Sequence, residues 1–247
     1  MVNVHVHWFD GSAPVIDAQA MEVFQAQWSI YQKLVDSNAL SHQEIGHILH
    51  RELAKRFTRP ICFLDIACGD ASVPRRALTG IAVRHYHGID LAAPALELAA
   101  KNLERADFEV DLDCQDFVTA LTGRQEHADA VWCSLSLHHL HTPEKQRVMS
   151  AIRRSLGPDG IFLLYEPTLD EGEDLPAYLD RTYAIISKRW TALDRQELED
   201  IWHHIRDNDL PEQPDTWLAL GRAAGFSDGQ QIFADPSGLY SMFRYLA

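Results

Sequence analysis

Basic residues are scarce in this chain of 247 residues, and their scarcity limits the partners that it can bind. Lysine and arginine together number 22 against 36 aspartates and glutamates, which gives a formal net charge of −14 with histidine neutral. A field of that sign repels a phosphate backbone within the screening length. We therefore expect no nucleic-acid partner, and the charge favours a small neutral or cationic ligand.

Cysteine pairs and long apolar runs are missing as well. The four cysteines, at positions 62, 68, 114 and 133, show no C-x-x-C spacing, so the sequence predicts neither a disulfide framework nor a thiolate metal site. No stretch approaches the roughly 18 consecutive apolar residues of a membrane span, and the amino terminus shows no signal-peptide pattern. We expect a soluble, cytoplasmic protein without a membrane partner. Its 46% of hydrophobic residues can bury one sizeable core.

The first 58 residues predict helices. Apolar residues recur at steps of three and four between Asp17 and Asp36, which is the spacing of one helical face. Ser41 and Glu44 have the spacing of a capping box for a second helix, which ends before Pro60. We expect residues 1–58 to form a helical cover on a second domain that spans residues 59–247.

After Pro60 short apolar runs alternate with helical segments, which is typical of a parallel sheet with crossover helices. The runs predict strands near residues 61–67, 84–90, 108–114, 129–135 and 161–166. One of the intervening helices is predicted from Thr142, as its cap, to Leu156. The segment 167–214 lacks the strand pattern and predicts a helical insertion that lies over the sheet as a lid. Two further strands, joined by the turn Pro236-Ser237-Gly238, are expected to be antiparallel neighbours.

The segment FLDIACGDAS ends the first of these strands with an aspartate, turns through small residues and opens a helix. An open α/β sheet binds a nucleotide-like ligand at such a turn. The next strand ends in Asp90, whose carboxylate can accept hydrogen bonds from two ribose hydroxyls. A dinucleotide fingerprint fits poorly, because Ala67, Gly69 and Ser72 occupy its three glycine positions. Acidic Asp70 would also meet the diphosphate. No GK[ST] segment is present, so a P-loop is excluded.

Five segments occur in a diagnostic order: FLDIACGDA, GID at 88–90, CQDF at 114–117, DAVWCSLSLHHL at 129–140 and SLGPDGIFLLYEP at 155–167. Together they resemble the class I S-adenosylmethionine (SAM)-dependent methyltransferases. The resemblance implies an α/β, Rossmann-like sheet of seven mostly parallel strands, with the last strand antiparallel. Alanines 67 and 71 stand where this family usually has glycine.

The resemblance also implies a set of cofactor-binding residues. The loop after the first strand would hold the methionine part of SAM, and Asp90 would hold the ribose hydroxyls. Asp116 would accept a hydrogen bond from the adenine amino group, with an apolar residue on each side of the ring. The full set is Asp65, Ala67, Gly69, Asp90, Leu91, Asp116, Phe117 and Ser134.

Candidates for chemistry lie at the carboxyl edge of the same sheet. The segment SLHHLHT supplies His138 and His139, either of which could take a proton from an acceptor, and Glu166 ends the next strand. For the acceptor we predict contacts with Tyr31 on the first helix and with Tyr178 and Arg181 in the insertion. The 13 histidines show no recognised metal-ligand spacing, so the sequence predicts no metal site.

The sequence thus predicts an enzyme that transfers a methyl group from SAM to a small molecule, and that can form a homodimer. Three alternatives remain open. The acceptor could be RNA or protein, although basic residues do not cluster strongly in any segment. The chain could bind SAM without turning it over. A nicotinamide-dependent oxidoreductase is the third alternative, and the glycine pattern disfavours it.

Overall fold

The structure, a computed structural model, describes residues 4–8, 28–123 and 127–247. Within them, eight strands form one sheet. The strands are β1 Val4–Trp8, β2 Ile61–Ile66, β3 Val83–Asp90, β4 Glu109–Cys114, β5 Ala128–Ser134, β6 Leu156–Pro167, β7 Asp228–Ala234 and β8 Tyr240–Leu246. Their order across the sheet is β1-β4-β3-β2-β5-β6-β8-β7.

Helices cover both faces of this sheet. The first, α1, includes residues 28–36. The others are α2 His42–Arg56, α3 Ser72–Ala77, α4 Ala93–Leu103, α5 Phe117–Gly123, α6 Thr142–Ser155, α7 Leu175–Arg189, α8 Arg195–Asn208 and α9 Pro214–Ala224. A short 3₁₀ turn spans Leu137–His139.

Two hydrophobic cores lie on opposite faces, because alternate strand residues point to opposite sides. On β2, Phe63 packs into the core beneath α1–α4, α7 and α8, whereas its neighbour Leu64 packs into the core beneath α5, α6 and α9. The central strands are apolar on both faces, as expected for buried parallel strands.

The predicted fold class is confirmed. Strands β1–β6 pair in parallel, and β8 runs antiparallel to both β6 and β7. Asp235 shapes the turn before β8, since one of its carboxylate oxygens accepts hydrogen bonds from the backbone N–H groups of Leu239 and Tyr240, each at 2.9 Å. Residues 175–189 and 195–208 are helical, as predicted for the insertion. The proposed division into two domains stays a prediction.

The predicted count of seven strands is wrong, because β1 adds an eighth at the edge of the sheet. Val4 and Val6 alternate with His5 and His7, and the valines are the less exposed pair. Strand β1 pairs in parallel with β4, from Val4 opposite Val110 to Trp8 opposite Cys114. The alternation was present in the sequence, but a run of five residues with two histidines gives only a weak strand signal.

Two predicted helix starts are also corrected. Ser41 lies in the left-handed region, with φ 53°, and makes no side-chain cap; Asn38 instead accepts a hydrogen bond from Gln43 N at 2.9 Å and donates one to Glu44 at 2.8 Å. In α6 the cap is His141, so Thr142 is the first helical residue. The part of the predicted first helix before Trp28 lies outside the described residues.

The strand order places the carboxyl ends of β2, β3, β5 and β6 side by side at one edge of the sheet. Residues that are far apart in sequence therefore meet at this edge, where open α/β sheets bind their ligands. Among the described residues, no helix is both long and apolar enough to cross a membrane.

Candidate functional site

A cavity lies at the carboxyl ends of β2, β3 and β5. Asp65, Ala67, Gly69, Asp90 and Ser134 line it, which brings together five of the predicted cofactor residues. Trp28 and Tyr31 of α1 close its other side, with their rings 5.2 Å apart. The structure thus places the predicted methionine and ribose contacts in one cavity.

The loop after β2 turns through left-handed backbone. Ala67, Gly69 and Ala71 have φ angles of 53°, 54° and 56°, and Leu135 across the cavity has 53°. This conformation is costly for a residue with a Cβ, which explains why glycine suits these positions. Strained backbone of this kind gathers at ligand-binding sites.

Asp90 joins two loops at the rim of the cavity. Its Oδ2 accepts a hydrogen bond from Gly69 N at 2.8 Å, and its Oδ1 accepts one from Ala92 N at 2.8 Å. Each carboxylate oxygen can accept a further hydrogen bond. Asp90 therefore fixes the loop after β2 and retains the capacity to accept from ligand hydroxyls.

Asp65 is the buried acid at the base of the cavity. Its carboxylate accepts a hydrogen bond from the hydroxyl of Tyr86. Burial raises the pKa of Asp65 to about 8, and the neighbouring charges of Asp90 and Asp70 act in the same direction. Among the described residues that line this cavity there is no lysine or arginine. The carboxyl groups of Asp65, Asp70 and Asp90 thus have no basic side chain beside them in the described lining, which favours a cationic ligand.

The predicted adenine contacts lie farther out on the same sheet edge. Leu91, directly after Asp90, is 73% exposed. Asp116 caps α5 by accepting hydrogen bonds from Thr119 N and Thr119 Oγ1, both at 2.9 Å, and Phe117 is the first residue of that helix. These three residues do not line the cavity, and their role stays a prediction.

A second cavity adjoins the first, and Tyr31 and Leu135 line both. Its polar lining consists of His138, His139, His204 and Asp209. The remaining wall is mainly apolar and comes from Leu34, Leu40, Pro167, Trp190, Ile201, Ile205 and Tyr240. A largely apolar cavity with a few convergent polar groups is the usual form of a small-molecule site.

Glu166 holds the histidine turn in place. Its Oε1 accepts hydrogen bonds from Leu137 N at 2.8 Å and Ser136 N at 3.1 Å, and its Oε2 lies 2.6 Å from His138 Nδ1. Burial alone would lower the pKa of His138, but the charge and hydrogen bond of Glu166 outweigh burial, so the pKa is raised. The predicted catalytic residues His138 and Glu166 therefore form a buried pair.

Asp209, which follows α8, is the site residue that the sequence did not reveal. Its Oδ1 lies 3.5 Å from His138 Nε2 and 3.8 Å from His139 Nδ1. Burial raises the pKa of Asp209 to about 6. The backbone N–H of Leu210 also donates to the carbonyl of His138 at 2.8 Å, which fixes this segment on the histidine turn. No motif at Asp209 indicates this role.

His139 is the more accessible of the two histidines. Its side chain is 39% exposed, against 7% for His138. Burial and the adjacent His138 lower the pKa of His139 to about 4. The ring of His204 lies 5.4 Å away in an edge-on arrangement. His139 is therefore neutral near pH 7 and has a lone pair to offer.

The three predicted acceptor residues separate in the structure. Tyr31 lies between the cavities, and its hydroxyl is 3.3 Å from His42 Nε2. Tyr178 is buried, and Arg181 stacks on its ring at 5.6 Å while it pairs with Glu173 at 2.7 Å. Tyr178 and Arg181 line neither of these two cavities, so their contact with an acceptor stays a prediction.

Comparison with known proteins agrees with this geometry. The family profile described as "Methyltransferase domain" matches residues 63–160, from β2 into β6. Residues 63–160 therefore match a methyltransferase domain. The match confirms the methyltransferase resemblance seen in the sequence, and that resemblance implies SAM as the cofactor. No curated protein matches the chain in sequence.

Solved structures share the fold of this methyltransferase domain and its neighbouring elements. An O-methyltransferase family protein from Burkholderia thailandensis superposes with a TM-score of 0.66 at 17% identity, over 94% of this chain and 63% of that one. Human N-acetylserotonin methyltransferase, in complex with SAM, superposes with a TM-score of 0.51 at 17% identity, over 88% and 56%. The chain thus spans less than two thirds of the length of either protein, and the likeness concerns the fold.

Proposed function

We propose that this protein transfers a methyl group from SAM to a small-molecule acceptor. The observation that carries the proposal is the pair of adjoining cavities that share Tyr31 and Leu135 as a common wall. One cavity has the features of a cofactor site and the other those of an acceptor site. Methyl transfer requires the two ligands to meet at such a boundary.

The charges of the first cavity suit SAM. SAM has a sulfonium and an ammonium group, and the cavity presents Asp65, Asp70 and Asp90 without a lysine or arginine among its described lining residues. The same carboxyl groups would repel the diphosphate of a dinucleotide. The cavity therefore favours SAM over a nicotinamide cofactor.

The second cavity suits a small and largely apolar acceptor. Trp190, Ile201 and Ile205 supply apolar wall, and the net charge of −14 disfavours an RNA substrate. Human N-acetylserotonin methyltransferase is named for a small molecule of that kind. We infer an acceptor of neutral or positive charge whose nucleophilic atom faces the His138–His139 turn.

Methyl transfer requires the nucleophile of the acceptor to be aligned with the methyl group of SAM. When that nucleophile is protonated, the transfer also requires a base. Transfer from a sulfonium is an in-line displacement, so the nucleophile must approach the methyl carbon to about 3–3.5 Å in a site without water. His138 and His139 are the candidate bases, and Glu166 positions His138 through the 2.6 Å contact. If His138→Ala and His139→Ala both retain full turnover, neither histidine is the base.

Calorimetric titration tests the cofactor before any acceptor is known. We expect SAM and S-adenosylhomocysteine to bind and NAD⁺ not to bind. Asp90→Ala should weaken SAM binding at least about a hundredfold, because it removes the ribose acceptor and frees the loop at Gly69. Asp107→Ala, an exposed acid outside the site, is the matched control. Binding of NAD⁺ alone would overturn the proposal.

A screen for S-adenosylhomocysteine release then tests the reaction. Small alcohols, phenols, thiols and amines are compared with RNA and with a protein mixture, each with SAM present. We expect release with members of the small-molecule set. Binding of SAM with no turnover of any acceptor would favour a SAM-binding protein that is not an enzyme, and release with RNA or protein would assign the acceptor to those classes.

A further inference from the structure

Three side chains converge in the second cavity in a way that proton transfer does not require. His138, His139 and Asp209 each offer one ligand atom, and these three atoms lie within 4.8 Å of one another. All three residues line the cavity. They come from two distant segments, the turn after β5 and the residue after α8.

We propose that His138, His139 and Asp209 bind a divalent cation of the zinc class in this cavity. The ligand types support this choice, because neutral imidazole nitrogen and carboxylate oxygen are common ligands of zinc and its neighbours in the first transition series. Calcium and magnesium prefer sites made wholly of oxygen ligands.

The spacing of the ligand atoms fits such an ion. Ligands at about 2.0–2.1 Å from a tetrahedral ion lie about 3.3–3.4 Å from one another. The observed separations from Asp209 Oδ1 are 3.5 Å to His138 Nε2 and 3.8 Å to His139 Nδ1. All three ligand atoms lie within 4.8 Å of one another, so the histidine nitrogens would draw closer around a bound ion. His139 Nδ1 also lies 3.4 Å from the carbonyl oxygen of Asn208, and metal binding would replace that contact.

An unpartnered buried oxygen gives an independent indication of a ligand. Asp209 is 7% exposed, and its Oδ1 has no hydrogen-bond partner among the described residues. A buried carboxylate oxygen without a partner is costly. A cation held between Asp209 Oδ1 and the two histidines would satisfy this oxygen.

Glu166 completes a pattern that is common around protein-bound zinc. Its Oε2 lies 2.6 Å from His138 Nδ1, which leaves His138 Nε2 directed toward Asp209. A histidine that binds a metal through one nitrogen usually donates its other N–H to a carboxylate or carbonyl, which fixes the ring. Glu166 is fully buried and supplies that support.

Three protein ligands leave one coordination position open. Zinc sites that act on substrates have three protein ligands and one exchangeable position. Because the three ligands line the cavity proposed for the acceptor, an oxygen, sulfur or nitrogen of the acceptor could occupy that position. This use of the cation rests on the proposed function, whereas cation binding itself does not.

The test is metal binding by the whole protein after treatment with a chelator. The chelator-treated protein is titrated with Zn²⁺ in competition with a chromophoric chelator, and separately with Co²⁺, whose visible absorption intensifies at low coordination number. We expect one Zn²⁺ per chain and an intense Co²⁺ spectrum. His139→Ala and Asp209→Asn should each weaken Zn²⁺ binding at least about tenfold, since even loss of a supporting group near a metal costs that much.

His203→Ala is the matched control, because His203 is an exposed histidine that does not line this cavity. It should bind Zn²⁺ and Co²⁺ as the unmodified protein does. SAM titration of each variant checks that the fold persists and separates this proposal from the proposed function. If Asp209→Asn does not fold, His139→Ala decides, since that side chain is 39% exposed. Equal Zn²⁺ binding and equal Co²⁺ spectra in His139→Ala and the unmodified protein would overturn the site.

Discussion

The carboxyl groups at the two adjoining cavities differ in the partners that they have within the protein. In the first, Asp65, Asp70 and Asp90 face a cavity whose described lining has no basic side chain, and their partners are backbone N–H groups and the Tyr86 hydroxyl. In the second, Glu166 and Asp209 face the imidazoles of two histidines.

This difference indicates where a charged ligand is needed. A carboxyl group without a cation nearby holds its proton more tightly, as the raised pKa of Asp65 shows, and a cationic ligand reverses that effect. Glu166, by contrast, has a fixed partner within the protein, because its Oε2 lies 2.6 Å from His138 Nδ1. The carboxyl groups of the first cavity therefore depend on the ligand for charge balance. In the second cavity the protein itself satisfies Glu166, and Asp209 is the carboxyl group that a cation would satisfy.

The largest expected effect comes from removing Glu166, the carboxyl group whose partners all lie within the protein. Glu166→Ala should lower the free energy of unfolding by about 3–5 kcal/mol, because it leaves His138 buried without its partner and frees the N–H groups of Ser136 and Leu137. Thermal or urea unfolding measures the loss. Glu199→Ala, at an exposed pair with Arg195, should change stability by less than about 1 kcal/mol. Equal effects of the two substitutions would contradict the contrast.

The pH dependence of SAM binding tests the other cavity. Asp65 has a pKa of about 8 in the free protein, and if it faces the ammonium of SAM, as the resemblance implies, it must lose its proton on binding. Below pH 8 the free protein is mostly protonated at Asp65, so binding releases a proton and the affinity should fall toward tenfold for each pH unit lowered. An α-amino group has an ordinary pKa of about 7.7–8.0, so the ammonium of SAM is largely protonated only below about pH 7, and the dependence on Asp65 is cleanest between pH 6 and 7.

Calorimetry in buffers of different ionisation enthalpy measures that proton release directly. Asp65→Asn is the matched control, because it keeps the shape of the side chain and removes its titration. Its affinity for SAM should be lower and nearly independent of pH between about 6 and 7, where the ammonium of SAM is largely protonated. An unmodified protein with the same flat profile would show that Asp65 stays protonated beneath the ligand.

The first cavity could be predicted from the sequence because its residues follow strand ends directly. Asp65 is the residue before the end of β2, Asp90 ends β3, and Ser134 ends β5. In a parallel sheet those ends must meet at one edge, so strand patterns alone were enough to gather them. The same logic placed Glu166 beside the histidine turn.

The second cavity could only be predicted in part, because long-range packing builds it. Asp209 comes to His139 from 70 positions away in the chain, by way of two helices whose spacing gives no information on their orientation over the sheet. The metal ligands proposed for this cavity have no local spacing for the same reason. Tyr178 and Arg181 have the residue types of a ligand site, but Arg181 stacks on the ring of Tyr178 and pairs with Glu173 instead.

Substitution of Asp116 has the smallest expected effect, and it separates a structural role of this residue from a role in SAM binding. Its Oδ1 caps α5 through Thr119, so Asp116→Ala should cost about 1 kcal/mol of stability. Asparagine caps a helix as well as aspartate does, so Asp116→Asn should leave the unfolding midpoint unchanged. If Asp116 also accepts a hydrogen bond from adenine, Asp116→Asn turns an amide donor toward that amino group and weakens SAM binding several-fold. Unchanged affinity in Asp116→Asn would confine Asp116 to the helix cap and place the edge of the cofactor site at Asp90.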